Sequence, residues 1–197
     1  MTFKKLILAT HNKGKIEEIS NLLAPYHIDV ISAVDLNLPD VEETGTTFEE
    51  NARLKAVTLA KLSGEYCLAD DSGLCVDALD GRPGVYSARY APNRDFGQGI
   101  AKLLAEVEAS SSSSRKAHFS CVLALADPKT LDCQVFEGRV DGKLSHEVRG
   151  TEGFGYDPVF IPDDGDGRTF AQMSQQEKSQ ISHRGRALAQ FVMSLTK

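Results

Sequence analysis

An apolar run, Tyr66-Cys67-Leu68-Ala69, ends on two adjacent carboxylates, Asp70 and Asp71, followed at once by Ser72-Gly73. Desolvation and mutual repulsion both oppose placing paired negative charge beside a buried strand, so a cationic partner is expected there. Side chains alternate along a strand, so the two carboxylates face opposite ways and cannot both ligate one ion. A divalent ion would need a further carboxylate, and the acidic loop with Asp40, Glu42 and Glu43 is the obvious supplier. Magnesium suits such a set, because it takes one or two carboxylates, several waters and substrate phosphate oxygens.

Cations and aromatics recur at positions that would complement a polyphosphate ester. Thr10-His11-Asn12-Lys13-Gly14-Lys15 joins a strand to a helix, where unpaired N–H groups and two lysines can hold phosphate. It is not a Walker loop, because the required glycine-lysine spacing is absent. Asn51 and Lys55 lie four apart on one helix face, with Lys55 reaching toward a polyphosphate from the wall opposite Lys15. Phe154, Gly155, Tyr156 and Asp157 combine aromatic surface with flexible backbone, as a platform for a base would. Lys178, Ser182 and Arg186 are spaced four apart, with His183 and Arg184 on adjoining faces. Such donors match a purine C6 carbonyl and oppose a C6 amino group.

The elements that must carry these groups follow from periodicity. Lys4–Thr10 and Ile28–Ser32 read as strands, and Lys15–Leu23 as an amphipathic helix closed by Pro25. Thr47 and Glu50 form a capping box for a helix that stops at Gly64. Tyr66–Asp71 and Leu74–Leu79 read as two strands joined through a turn at Ser72-Gly73. Asp95–Glu108 is helical, the serines at 110–114 form a solvated loop, and two long β-type runs then pair antiparallel. A short strand ends the glycine-spaced segment 150–162. A long helix capped by Ser174 and Glu177 closes the chain, with an interruption expected at Gly185. The class is α/β with a mixed sheet.

Bulk properties narrow the function. The 197 residues are 41% hydrophobic and 25% charged, enough for one domain with a sizeable core. A net charge of −6 opposes binding to a nucleic acid polymer, though not to a nucleotide. No stretch reaches the roughly 20 apolar residues of a membrane span, and the amino-terminal apolar run is too brief for a signal peptide. Cys67, Cys75, Cys121 and Cys133 show no metal-type pairing, so reduced thiols and a cytoplasmic location are expected.

Taken in order, the stretches resemble the inosine/xanthosine triphosphate pyrophosphatase family. The resemblance rests on T-x-N-x-G-K at 10–15, E-E-T-G-x-T-F-x-E-N-A at 42–52, L-A-D-D-S-G-L at 68–74, G-x-P-G-x-Y-S-A-R-Y at 81–90, G-F-G-Y-D-P at 153–158 and E-K-x-x-x-S-H-R-G at 177–185. It implies one ITPase-like domain over residues 1–197, an elongated mixed sheet with flanking helices, and two lobes with the active site in the cleft between them. It also implies Mg²⁺-dependent cleavage between the α and β phosphates of inosine, deoxyinosine or xanthosine triphosphate, and a homodimer. By position, Asp71 becomes the catalytic acid, acting directly as base or orienting the attacking water. Glu42 or its neighbour Glu43 joins Asp71 as a metal carboxylate. Thr10 to Lys15, Lys55, Ser72, Phe154 to Asp157, Lys178, His183 and Arg184 fall on nucleotide contacts, with His183 and Arg184 at O6 of the base. His11 stands where many members carry glycine, and would crowd the phosphates or add a contact to them. Rival readings are a pyrophosphatase for modified pyrimidine nucleotides, a phosphatase releasing orthophosphate, and a non-catalytic nucleotide sensor.

Overall fold

A computed structural model describes residues 5–195. Six strands form one mixed sheet in the order β2-β1-β3-β4-β5-β6. They are β1 (Lys5–Leu8), β2 (Asp29–Ser32), β3 (Cys67–Val76), β4 (Lys116–Ala126), β5 (Cys133–Leu144) and β6 (Phe160–Pro162). The helices are α1 (Lys13–Leu23), α2 (Phe48–Ser63), α3 (Phe96–Ala109), α4 (Gln175–Ile181) and α5 (His183–Leu195). Strand β1 runs parallel to β2 and β3, and β6 runs antiparallel to β5. The β4–β5 pair is antiparallel as well, since Asp127 donates to Asp132 at one end and Leu144 to Arg115 at the other. Lys4, read as the start of the first strand, lies outside the described residues.

The chain divides into two compact units. The first takes the described residues of Met1–Asp71, Cys121–Gly138 and Arg184–Lys197, the second Ser72–Ser120 and Arg139–His183. In the first unit the strand alternation sorts side chains into two cores. Leu6, Leu8, Leu68, Cys121, Leu123 and Leu125 meet Ile19 and Leu23 of α1 and Leu188 and Phe191 of α5. Ile7, Cys67, Ala69, Val122 and Ala124 meet Ala52, Ala56, Leu59 and Ala60 of α2. Burial on both faces is why β1, β3 and β4 read as continuous apolar runs. The alanines on α2 let that helix lie close to the sheet. In the second unit one core gathers Leu74 and Val76 with Ile100, Leu103 and Val107 of α3 and with Phe119, Phe160 and Phe170.

Local signals account for most boundaries. Asn12 caps α1 and Asp95 caps α3. Thr47 and Glu50 form the expected box on α2, which ends at Gly64 in the left-handed region, φ 70°. Two expectations need correction. Ser72-Gly73 is not a turn: β3 runs unbroken through it, so Asp70 and Asp71 sit in mid-strand rather than at a tip. The carboxy-terminal helix is interrupted at Ser182, not Gly185. Ser182 takes extended backbone, φ −73° and ψ 158°, after α4, and α5 starts at the next residue.

Helix α4 has only 7 residues, so its cap matters. Glu177 accepts from Ser174 N–H and pairs with Arg168. Arg168, then the Ser174 contacts, hold its carboxyl at about 2 against an ordinary 4.5. A depressed carboxylate stabilises the fold fully above its unfolded pKa, and that contribution is lost as pH falls through the folded value. Acidification from pH 4.5 to 2 is therefore expected to lower the thermal midpoint of the wild type more than that of Glu177→Gln. Parallel declines would show that the Glu177 contacts do not stabilise α4.

Candidate active site

The strand alternation that sorts the two cores also separates the paired carboxylates. Asp70 follows Leu68 onto the face covered by α1 and α5, and Asp71 follows Ala69 onto the face covered by α2. Asp70 is fully buried, and Lys15 Nζ lies 2.7 Å from its Oδ1. Arg184 Nε donates to Oδ2 at 2.7 Å and Cys121 Sγ approaches the same oxygen at 3.2 Å. Arg184 also pairs through Nη1 with Glu18 of α1 at 2.5 Å. Burial alone would raise the Asp70 pKa, but Arg184 and Lys15 outweigh it and hold the carboxyl well below the usual range. These two cations favour the ionised form of Asp70.

Asp71 has the opposite balance. Its Oδ1 lies 3.1 Å from Lys55 Nζ, while its buried Oδ2 has no hydrogen-bond partner. Burial dominates the Lys55 attraction and pushes the carboxyl up to about 6. Lys55 Nζ also meets Glu43 Oε1 at 2.6 Å. Burial would raise Glu43, but Lys55 brings it below 4.5. Lys55 and Lys15 rise from opposite faces of the sheet yet converge on one atom, the Asp70 carbonyl oxygen, at 2.8 and 3.3 Å. Glu42, by contrast, is exposed, so of the two loop carboxylates only Glu43 is turned toward Asp71's partner.

The strand-to-helix loop is tightly built. Thr10 Oγ1 accepts from Asn12 N–H at 3.1 Å, and Asn12 Oδ1 accepts from Lys15 N–H at 3.2 Å. Lys13 is exposed and Gly14 half-buried in the first turn of α1. His11 is tied to the acidic loop: its Nε2 donates to Leu38 O at 3.1 Å and its Nδ1 lies 3.5 Å from Asp40. That bond fixes the tautomer, because a carbonyl only accepts.

The second unit holds a separate group. Asp157 accepts from Phe154 N–H at 2.9 Å and from Lys178 Nζ at 2.6 Å, with both charged side chains buried. Lys178 Nζ also sits 5.0 Å from the centroid of the half-buried Phe154 ring. Gly153 and Gly155 have φ of 70° and 64°, which bends the loop so that Asp157 closes it. His183 stacks on Phe119, with centroids 4.6 Å apart and planes inclined 8°. Ser72, half-buried, opens this unit directly after Asp71.

Two residues read as nucleotide contacts are buried here. Tyr156 is 2% exposed, donates its hydroxyl to Ser87 O at 2.8 Å and packs edge-on to Phe96, so its ring belongs to the core. Arg184 does not present its guanidinium to a base edge. All three guanidinium nitrogens are engaged by Asp70 and Glu18. No sequence signal singled out Glu18; its place four residues before Leu22 on an amphipathic helix reads as an ordinary surface acid, and its pairing with Arg184 accompanies its burial. Arg184→Ala would take a shared cation from two buried carboxylates, leaving Asp70 with Lys15 and Glu18 without the guanidinium. Chemical denaturation is expected to show a loss of about 3–5 kcal/mol, and a loss under about 1 kcal/mol would show that Lys15 alone sustains Asp70.

With this geometry, likeness to known proteins becomes informative. The profile of the Ham1 family matches residues 6–194. A protein of Ruegeria pomeroyi named dITP/XTP pyrophosphatase is 48% identical over 191 residues, 95% of this chain and 93% of that one. A protein of the same name from Bacillus licheniformis is 48% identical over 187 residues, 94% of each chain. Among solved structures, a HAM1 protein from Coxiella burnetii has TM-score 0.89 and 42% identity, covering 98% of this chain and 99% of that one. A nucleoside-triphosphatase / dITP/XTP pyrophosphatase from Mycobacterium abscessus has TM-score 0.74 and 41% identity, covering 95% and 98%. The chain belongs to the Ham1 family.

Proposed function

We infer that this chain hydrolyses non-standard purine nucleoside triphosphates, of the dITP, ITP and XTP type, to the nucleoside monophosphate and pyrophosphate. The names of its relatives support the activity. The observation in this chain that carries it is Asp71, a buried carboxylate beside two lysines, with one oxygen unpartnered. Burial pushes this carboxyl up to about 6 in the metal-free protein, and its unpartnered oxygen can orient a water for attack.

The donor set fits a divalent cation. Four carboxylates (Glu18, Glu43, Asp70, Asp71) and three cations (Lys15, Lys55, Arg184) meet in this cluster. Among the described residues no three His, Cys, Asp or Glu side chains form a complete metal cage. Two carboxylates completed by phosphate oxygens and water is the pattern Mg²⁺ prefers. Glu43 and Asp71 would hold it, and Glu42, being exposed, is left out. When bound, the ion neutralises phosphate charge and acidifies water.

The remaining roles belong to the chain. N–H groups of Lys13 and Gly14 at the start of α1 face the triphosphate, backed by the Thr10–Asn12 bond that shapes the loop. Lys15 and Lys55 stabilise the charge that develops on the departing pyrophosphate. Ser72, the next residue along β3, supplies a further hydroxyl contact to the nucleotide in this reading. Phe154 offers a ring face for the base, while Lys178, held by Asp157, and His183, held flat by Phe119, supply donors suited to a C6 carbonyl. Adenine would set an amino donor against them. Arg184 acts one step removed, by keeping Asp70 ionised and so fixing Lys15. The reading includes a homodimer, as the family resemblance implies, and a cytoplasmic location, which suits four free cysteines. No helix among the described residues is long and apolar enough to cross a membrane.

Product analysis with inosine and adenosine triphosphates tests the reading. Inosine monophosphate and pyrophosphate are expected, with turnover abolished by chelator and marginal on adenosine triphosphate. Asp71→Asn should bind inosine triphosphate within a few-fold of wild type while turnover falls by about 10²–10⁴. Release of orthophosphate, or an active Asp71→Asn enzyme, would overturn it.

A further inference from the structure

Asn51 lies on α2 one turn before Lys55 and on the same face. It is fully buried, which is unusual for an amide side chain. Its Oδ1 accepts from the backbone N–H of Gly45 at 2.8 Å. An N–H can only donate, so that contact fixes which end of the amide is oxygen. The approach is close enough to require glycine: a Cβ at residue 45 would meet Asn51 Oδ1 and Glu50 Cβ at 2.7 Å each. Asn51 thus clamps the acidic loop two residues after Glu43. The other end of the same amide, Nδ2, is buried without any hydrogen-bond partner. An unpaired buried donor costs about 1–3 kcal/mol, and holding Gly45 uses only the oxygen of this amide.

The surroundings indicate what the donor serves. Glu43, on the loop that Asn51 holds, meets Lys55 Nζ at 2.6 Å, and Lys55 reaches Asp71. The amide therefore belongs to the same helix face and the same loop as the lysine expected to meet the leaving group. A neutral donor there can join a phosphate oxygen without competing for the carboxylates, as a further lysine would.

We propose that Asn51 Nδ2 is a further substrate-binding group, donating to an oxygen of the bound triphosphate and of the pyrophosphate that leaves. The proposal rests on the pyrophosphatase reading above. Two variants separate its parts. Asn51→Asp keeps the oxygen that holds Gly45 and loses the donor. Asn51→Ala loses both without adding charge.

Calorimetric titration with inorganic pyrophosphate and Mg²⁺ should show binding weakened about tenfold or more in both variants, the loss expected for one hydrogen bond to a charged acceptor. KM for inosine triphosphate should rise in step. Mn²⁺ alone, followed by its electron paramagnetic resonance signal, should bind Asn51→Asp, which keeps the loop clamp, no more weakly than wild type. Unchanged pyrophosphate affinity in Asn51→Ala, with only its thermal midpoint lowered, would reduce Asn51 to a loop clamp and overturn the proposal. An equal loss of Mn²⁺ affinity would move the contact to the cation's water shell and overturn it too. If wild type itself neither binds pyrophosphate nor releases it from inosine triphosphate, the pyrophosphatase reading falls instead.

Discussion

A carboxylate with no solvent contact stays ionised only if the protein supplies cations, and Asp70 has two, Lys15 and Arg184. Much of the first unit's design follows from that requirement. Arg184 must reach Asp70 from the second residue of α5, and Glu18 of α1 must then balance the guanidinium that remains. Lys15 must lie in the first turn of α1, which the Asn12 cap fixes. Replacing the whole set by apolar residues need not cost stability, because desolvating ions offsets most of their attraction. What the ions specify is position. They join β3, α1 and α5 at defined atoms, where apolar packing alone tolerates sliding.

The neighbouring carboxylate shows how the same chemistry is turned to the opposite end. Asp70 and Asp71 share a strand and are both buried, yet one is driven far below the ordinary range and the other up to about 6. The difference comes from strand alternation. One face delivers an arginine and a lysine to Asp70; the other delivers Lys55, which Asp71 must share with Glu43. Asp71 keeps one oxygen unpartnered. In the proposed reading, environments that push the two carboxylates apart make Asp70 structural and Asp71 reactive.

Where the sequence was readable, the signal was local. Capping residues and glycines placed α2 and α3 closely, and the opposed facing of Asp70 and Asp71 followed from the pleat. Where it misled, a long-range partner decided the outcome. Ser72-Gly73 has turn chemistry, but β3 continues through it as the sheet neighbour of β4, past the end of β1 at Leu8, and that pairing outweighs the local preference. Tyr156 sits among glycines like a surface aromatic, yet a carbonyl 69 residues earlier, Ser87 O, takes its hydroxyl and draws it into the core. Arg184 looked like a recognition residue because its true partners, Asp70 and Glu18, are 114 and 166 residues away. His11 bonds the backbone of the acidic loop 27 residues on, a partner that no local signal announces.

The break at Ser182 gains a physical reason from these partners. In a continuous helix, successive side chains project about 100° apart, and His183 and Arg184 would extend the register of Lys178. One extended residue at 182 resets that register. Lys178 can then meet Asp157, His183 can lie flat on Phe119, and Arg184 can still enter the core beside Asp70. Each of the three is buried, and each buried cation has its own carboxylate. Gly185, the expected breaker, lies inside α5, where its cost is small. Ser182 breaks the helix despite tolerating helical geometry. The demands on either side of it, and not its own conformational preference, set the geometry of this segment.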